Sequence, residues 1–413
     1  MLRASSDANR VPVRPRLGKP FWRLWWADAA NSMGNGVFLA AVPLIAVTLT
    51  KDPRQISIIS AATYLPWLLA SLPAGAIVDR WDRVTLMRRC QLFQAVVTFT
   101  AALVAATGAI NVASLAVAVF LIGTAEVIIT NAAQAVLPQL VPSGALARAN
   151  ANREIVQTVG QTALGQPLGS LLFAAAVALP LVLDATTFVV SAILLAALPR
   201  MPVPQMRRAK VRTEVAAGLR WLGSDTLLRT LALLLGGNTF FNRLAFATFV
   251  LFATGTLGLT AQEYSVIMAA EGVGSIIGGF LNTRLIQHLG MTRTLMTSLA
   301  INAAIYIGIG LAGGRASLAV LLGVLGLTLT VTNVLTVSLR QHLVPDEFLG
   351  RVNSVYRMLG WGLMPFGALA GGLLADQFGF RAVFFVAGGF RILLLIVALP
   401  VLYRETRDPR TIL

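Results

Sequence analysis

One recurrence constrains this chain more than any other feature. Apolar runs of about 20 residues, each long enough to cross a bilayer as a helix, begin near Leu24, Ile56, Gln91, Val112, Arg153, Leu181, Leu227, Glu263, Met291, Leu318, Asn353 and Ala382. They predict an all-α integral membrane protein of about twelve helices, because a helix satisfies its own backbone in hydrocarbon. The runs holding Glu126 and Glu271 contain a charge and are still long enough to span. Charged residues make up 12% of the 413, against roughly 25% in soluble domains. No stretch is left for a separate soluble core, so the bilayer takes over that role.

The loops then set the orientation. An even number of spans puts both termini on one side. The tails and alternate loops collect roughly 27 Lys and Arg, against roughly four on the other face, and the positive-inside rule makes the rich face cytoplasmic. The net charge of +16 is therefore read as orientation rather than nucleic-acid binding, since it is dispersed through short loops. The first 20 residues are basic but lead into a long span without a small-residue cleavage site, so no removable signal peptide is expected. Cys90 is the single cysteine, which excludes an internal disulfide.

Leu140-Val141-Pro142 followed by Leu146-Ala147-Arg148-Ala149-Asn150 matches Leu343-Val344-Pro345 followed by Leu349-Gly350-Arg351-Val352-Asn353 at one constant offset, and Gly169 falls on Gly372. Asn31 and Asn35 match Asn238 and Asn242 at nearly the same offset. The expected plan is a cytoplasmic tail (1–22), a six-helix bundle (23–199), a basic linker (200–226), a second bundle (227–403) and a cytoplasmic tail (404–413). Within the linker, Thr213 to Leu222 has the pattern of an amphipathic interfacial helix. A parallel repeat of six plus six is the plan of secondary transporters, which place substrate between the halves near the midplane.

The loop after the second run reads AGAIVDRWDRVTLMRRC. Gly75, Asp79, Arg80, Arg83 and Arg88-Arg89 in it resemble the signature of the major facilitator superfamily. The segments LVPSGALARANANRE and LVPDEFLGRVNSVYRMLGWGLMPFGALAGGLLADQFGFR resemble its bacterial branch of enterobactin exporters and macrolide-efflux-type permeases. The resemblance implies two pseudo-symmetric six-helix bundles in a bacterial cytoplasmic (inner) membrane. It departs from the superfamily in three places. The antiporter motif of the fifth helix becomes Gly165-Gln166-Pro167-Leu168-Gly169-Ser170, the fourth helix lacks the drug-antiporter Arg, and the second-half copy of the opening loop has lost its acid at Gly279-Phe280-Leu281-Asn282-Thr283-Arg284.

A charge at a helix centre costs roughly 2.5 to 3.5 kcal/mol on insertion scales, so each needs a reason. Asp28, Asn31 and Asn35 form one polar stripe on the first helix. The resemblance turns that stripe toward a substrate cavity; a structural hydrogen-bond seam is the alternative. Glu126, Asp28 and Glu271 are the candidates for proton coupling, with Glu126 first, because a proton-driven exporter needs a carboxylate that loads on one side and releases on the other. The competing reading pairs the glutamates with a buried Arg, for which Arg243 is the candidate. Further cavity candidates are Asn238, Asn242, Arg243, Gln157, Gln161, Trp361, Tyr306 and Tyr64. Arg391 is expected to bond helix carbonyls or snorkel. Gly165, Pro167 and Gly169, like Gly371 and Gly372, are expected to be close-packing and bending points.

Asp79 ends its own helix, where a negative charge opposes the helix dipole. The resemblance supplies a partner: the start of the eleventh helix near Asn353, with Arg80, Arg83 and Arg351 beside it. Gly75 would then let the helices approach, forming a latch on the cytoplasmic side.

The sequence holds no His-Glu-x-x-His run, no Gly-x-Ser-x-Gly elbow and no Gly-Lys-Ser/Thr phosphate loop, so neither an enzyme nor an ATP-driven pump is expected. The expectation is a secondary active transporter that exports small amphiphilic molecules on a proton gradient, without a cofactor. Uptake of a solute and flipping of a lysophospholipid are the alternatives. The expected partners are a small-molecule substrate and the bilayer, with no nucleic acid, and the chain is expected to act as a monomer.

Overall fold

The computed structural model describes residues 17–78, 80–199, 220, 222–223, 225–344, 352, 355–356 and 358–405. Asp79, Arg351, Asn353, most of the linker helix expected over 213–222 and most of both tails lie outside the described residues. Every described element is helical, and nine described helices are long and apolar enough to cross a membrane unbroken.

Those nine are the first (Lys19–Leu49), third (Arg83–Ala106), fourth (Val112–Leu140), sixth (Leu179–Ala196), eighth (Ala261–Leu289), ninth (Met291–Leu311), tenth (Arg315–Leu343), eleventh (Met364–Phe378, preceded by helical residues from Met358) and twelfth (Phe380–Glu405) of the expected spans. The other three are present in jointed or more polar form. The second is Pro53–Leu69 and Ser71–Val78, broken at Ala70. The fifth joins Leu146–Thr158 to Gln166–Ala175 through a π-helical turn, Val159–Gly165. Pro167 starts the last piece, and its missing N–H fits a local change in hydrogen-bond register. The seventh, Thr226–Phe246, carries Arg229, Asn238, Asn242 and Arg243, which lower its hydropathy.

Most helices begin earlier than the apolar run that signals them, because polar caps add turns outside the hydrocarbon. Asp82 accepts from Thr85 N at 2.7 Å to start the third span, and Asp225 accepts from Leu228 N at 2.8 Å to start the seventh. Asn111 with Ser114 and Thr260 with Glu263 form capping boxes on the fourth and eighth. Gly290 and Gly379, at φ 76° and 82°, turn the chain between the eighth and ninth and between the eleventh and twelfth spans.

The helices before residue 200 pack mainly on one another, as do those after 225. The two sets meet where the second span lies on the eleventh and the fifth on the eighth. Let the near end be the one where Lys19 starts the first span, and the far end the one where Leu49 finishes it. At the far end a single hydrophobic core joins both sets, running from Phe38, Ile45 and Phe188 to Phe249, Tyr306 and Phe384. At the near end, among the described residues, each set has its own core: Phe21, Met87 and Leu137 in one, Leu228, Leu335 and Tyr356 in the other. Among the described residues, then, packing joins the halves at the far end and leaves them divided at the near end.

Candidate functional site

The interior of the first half gathers amides around one carboxylate. Gln91 Nε2, from the third span, donates to Asn31 Oδ1 at 3.0 Å. Asn31 Nδ2 donates to Glu126 Oε1 at 3.4 Å, Gln94 Nε2 donates to Glu126 Oε2 at 3.2 Å, and the Asn35 side chain also bonds to this carboxylate. Glu126 is half-buried, and its carboxylate lies against this polar wall. Its partners are neutral amides, and the expected pairing with Arg243 is not made.

Asp28 is held differently. Arg153, on the fifth span, donates Nε to Asp28 Oδ2, and both residues are 8% exposed. The stripe on the first helix therefore splits: Asp28 belongs to an ion pair, whereas Asn31 and Asn35 serve Glu126. One turn on, the first span meets the fifth at backbone distance. A Cβ on Gly36 would stand 2.2 Å from Gln161 O, one on Gly165 would stand 2.6 Å from Met33 O, and one on Gly169 would stand 2.4 Å from Val37 O. At these three glycines the helices approach backbone to backbone, beside the π-turn and Pro167.

The second half presents a cationic and aromatic surface at similar depth. Arg243 Nη1 donates to Tyr64 Oη at 2.7 Å, and its guanidinium lies 4.5 Å from the centre of the Tyr64 ring, linking the seventh span to the second. Glu271 is within electrostatic reach of Arg243 without forming an ion pair. Asn242 Nδ2 donates to Tyr306 Oη at 2.7 Å. Arg391 lies over the same ring, 4.1 Å from its centre, and donates to Asn302 Oδ1 and to Asn238 O. Trp67 and Trp361 stack across the halves with ring centres 4.2 Å apart. Gln157 and Gln161 are half-buried on the fifth span.

Known proteins place this geometry. The family model described as transmembrane secretion effector, a branch of the major facilitator superfamily, matches residues 11–409. The chain belongs to that family.

The transporter is 24% identical over 390 residues to the multidrug efflux pump Tap of Mycolicibacterium fortuitum, covering 92% of this chain and 95% of the relative. It is also 24% identical over 392 residues to macrolide efflux protein A of Streptococcus pyogenes, covering 91% and 94%. A bacterial homologue of the iron transporter ferroportin, solved in an inward-facing state, has the same fold: TM-score 0.75, 16% identity, 94% of this chain and 99% of that one. The protein is a multi-pass membrane transporter and not an enzyme, and its efflux-like relatives agree with the resemblance in its sequence.

Of the latch residues on the transporter, Arg80 is exposed and Arg83 is buried, donating Nη1 to Ala135 O at 3.3 Å. Among the described residues, a Cβ on Gly75 would meet nothing within 4 Å. Arg153, Gln91, Gln94 and Asp184 are absent from the sequence-based candidates. Arg153 looks like a loop base because it opens its apolar run. The glutamines lie in a run that starts among charges. Asp184, alone within Leu181-Val182-Leu183-Asp184-Ala185, gives the same signal as Glu126 and was findable by the same rule.

Proposed function

We propose that this transporter is a proton-coupled exporter of small amphiphilic molecules, acting by alternating access in a bacterial inner membrane, with Glu126 as the coupling acid. The near end is then the cytoplasmic end, as the basic loops require, and both termini are cytoplasmic. One observation carries the reading. Glu126 is a half-buried carboxylate at mid-depth whose hydrogen-bond partners are neutral amides, so no fixed cation competes with a proton for it. Asp28 is committed to Arg153, which leaves it less able to serve that role. Glu271 ranks after Glu126 because the Arg243 guanidinium lies within electrostatic reach of it and competes with a proton there.

Amides from the first and third spans, with Trp67, Trp361 and Tyr64, offer an amphiphile both hydrogen bonds and aromatic faces. Two relatives covering most of the chain are named as efflux proteins, which favours export over uptake. Lysolipid flipping calls for a free basic head-group site, and the guanidinium of Arg391 is already bonded to Asn302 and Asn238. The charged loop around Asp79 would act as a latch that closes the cytoplasmic side when the cavity faces outward, with Arg80, Arg83, Arg351 and Asn353 around it.

The direct test is reconstitution in liposomes under an imposed pH gradient, with amphiphilic antibiotics, siderophores and lysolipids as cargo. Gradient-dependent movement of at least one of the first two classes is expected. Movement of none of them, or movement indifferent to the gradient, contradicts the reading.

A further inference from the structure

Asp184 is a third acid inside the first half, after Glu126 and Asp28, and none of the contacts above uses it. It lies on the sixth span, level with Gly34, the middle residue of the first span. A Cβ on Gly34 would stand 2.6 Å from Asp184 Oδ1 and 1.9 Å from Thr187 Oγ1, so this glycine makes the room in which the carboxyl sits. The residue is 0% exposed, and neither of its carboxyl oxygens has a hydrogen-bond partner.

The sixth span packs on the first, the third and the end of the fifth. Lys19 and Arg88 stand in the opening turns of the first and third spans at the near end, and the other charges on those elements are engaged elsewhere. On the first span, Asp28 is paired with Arg153, and Arg23 donates to Ala197 O beyond the near end of the sixth. On the third, Arg83 donates to Ala135 O, and Arg89 lies over the Trp81 ring. The last piece of the fifth, Gln166–Ala175, carries no charge. From the fourth span, Glu126 acts on Asp184 as a like charge. An ionised Asp184 would thus be a buried anion with no donor, no cation and a second acid nearby, the costliest state for a carboxylate. A neutral carboxylic acid removes the charge and most of that cost.

We propose that Asp184 is a proton-binding site, occupied in this conformation, and that its proton is coupled to the one on Glu126. Two interacting acids titrate as a pair: whichever releases its proton first makes the other hold on more firmly. Glu126, half-buried, would exchange with solvent, while Asp184, fully buried, keeps its proton until the halves rearrange. That role in transport rests on the proton-coupled reading above; occupancy of the site does not.

Infrared spectroscopy of the full-length transporter in lipid nanodiscs tests it, reading the carbonyl stretch of protonated carboxyl groups from neutral to alkaline pH, with either sodium or choline as the salt cation. Buried-acid bands are expected at neutral pH in the wild type, with one component lost in Asp184→Asn; the band left in Glu126→Gln is expected to titrate at a different pH and to vanish when Asp184→Asn is added. Asp184→Asn, a neutral isostere, should melt no lower than the wild type. Gly34→Ala, which crowds the carboxyl without removing it, should shift the band and so gives a second readout. A wild type without such bands, or an Asp184→Asn variant that keeps their full intensity, overturns the proposal. So does a band that answers to sodium at constant pH, which would make this a metal-cation site. The proton-coupled reading fails separately if Glu126→Gln pumps like the wild type while Asp184→Asn still loses its band.

Discussion

Arg153 of the fifth span and Asp28 of the first form an ion pair inside the first half, both of them buried. The pair lies a turn from the glycine-lined contact between the same two spans, so it fixes how the fifth helix seats on the first. Removing one partner strands the other as an unpaired buried charge, which typically costs about 3 to 5 kcal/mol. Arg153→Ala should therefore lower the melting temperature in detergent strongly. The double variant Asp28→Asn with Arg153→Gln should recover much of the loss, as a double-mutant cycle would show.

The glycines make a sharper contrast. Alanine at 36, 165 or 169 puts a methyl group within 2.2 to 2.6 Å of backbone atoms of the facing helix, and overpacking of this kind costs about 1 to 3 kcal/mol. Each should reduce stability and transport together. Among the described residues Gly75→Ala meets nothing within 4 Å, so its melting temperature should match the wild type. Any transport defect it shows would then point to a conformation in which that end closes.

At the far end, Arg54 of the second span is paired with Asp376 of the eleventh, bridging the two halves. The pair is partly exposed, at 54% and 32% of the side chains, and such pairs contribute roughly 0 to 1 kcal/mol. Arg54→Gln should move the conformational equilibrium toward a far-end-open state by at most about fivefold. High salt should mimic part of this effect in the wild type. Distances between spin labels across the far end would read both.

Near-end closure has its own test. If the loop around Asp79 acts as the proposed latch, Asp79→Asn should raise the reactivity of near-end cysteine probes while leaving the melting temperature in place. Unchanged reactivity would remove the latch from the account.

Much of this architecture is legible in the sequence because hydrocarbon imposes a simple rule: each run of apolar residues near the right length became a helix. The rule blurs where helices are jointed. The π-turn at Val159–Gly165 and the break at Ala70 arise from local backbone geometry that hydropathy does not carry. At the site, Glu126 with Asn31 and Asn35 was readable from charge in an apolar run and from helical spacing. The loss of Asp28 to Arg153 was not, because that pairing joins spans 125 residues apart and depends on how the fifth helix seats on the first. Likewise Arg243 chose Tyr64 over a glutamate, a choice made by packing between the halves.

The central claim is that Glu126 carries the coupling proton, and Glu126→Gln in proteoliposomes tests it most directly. With a cargo that the wild type moves under a pH gradient, the variant should still bind the cargo and let it run down its own gradient, yet show no pH-driven accumulation. Accumulation at the wild-type rate would contradict the account.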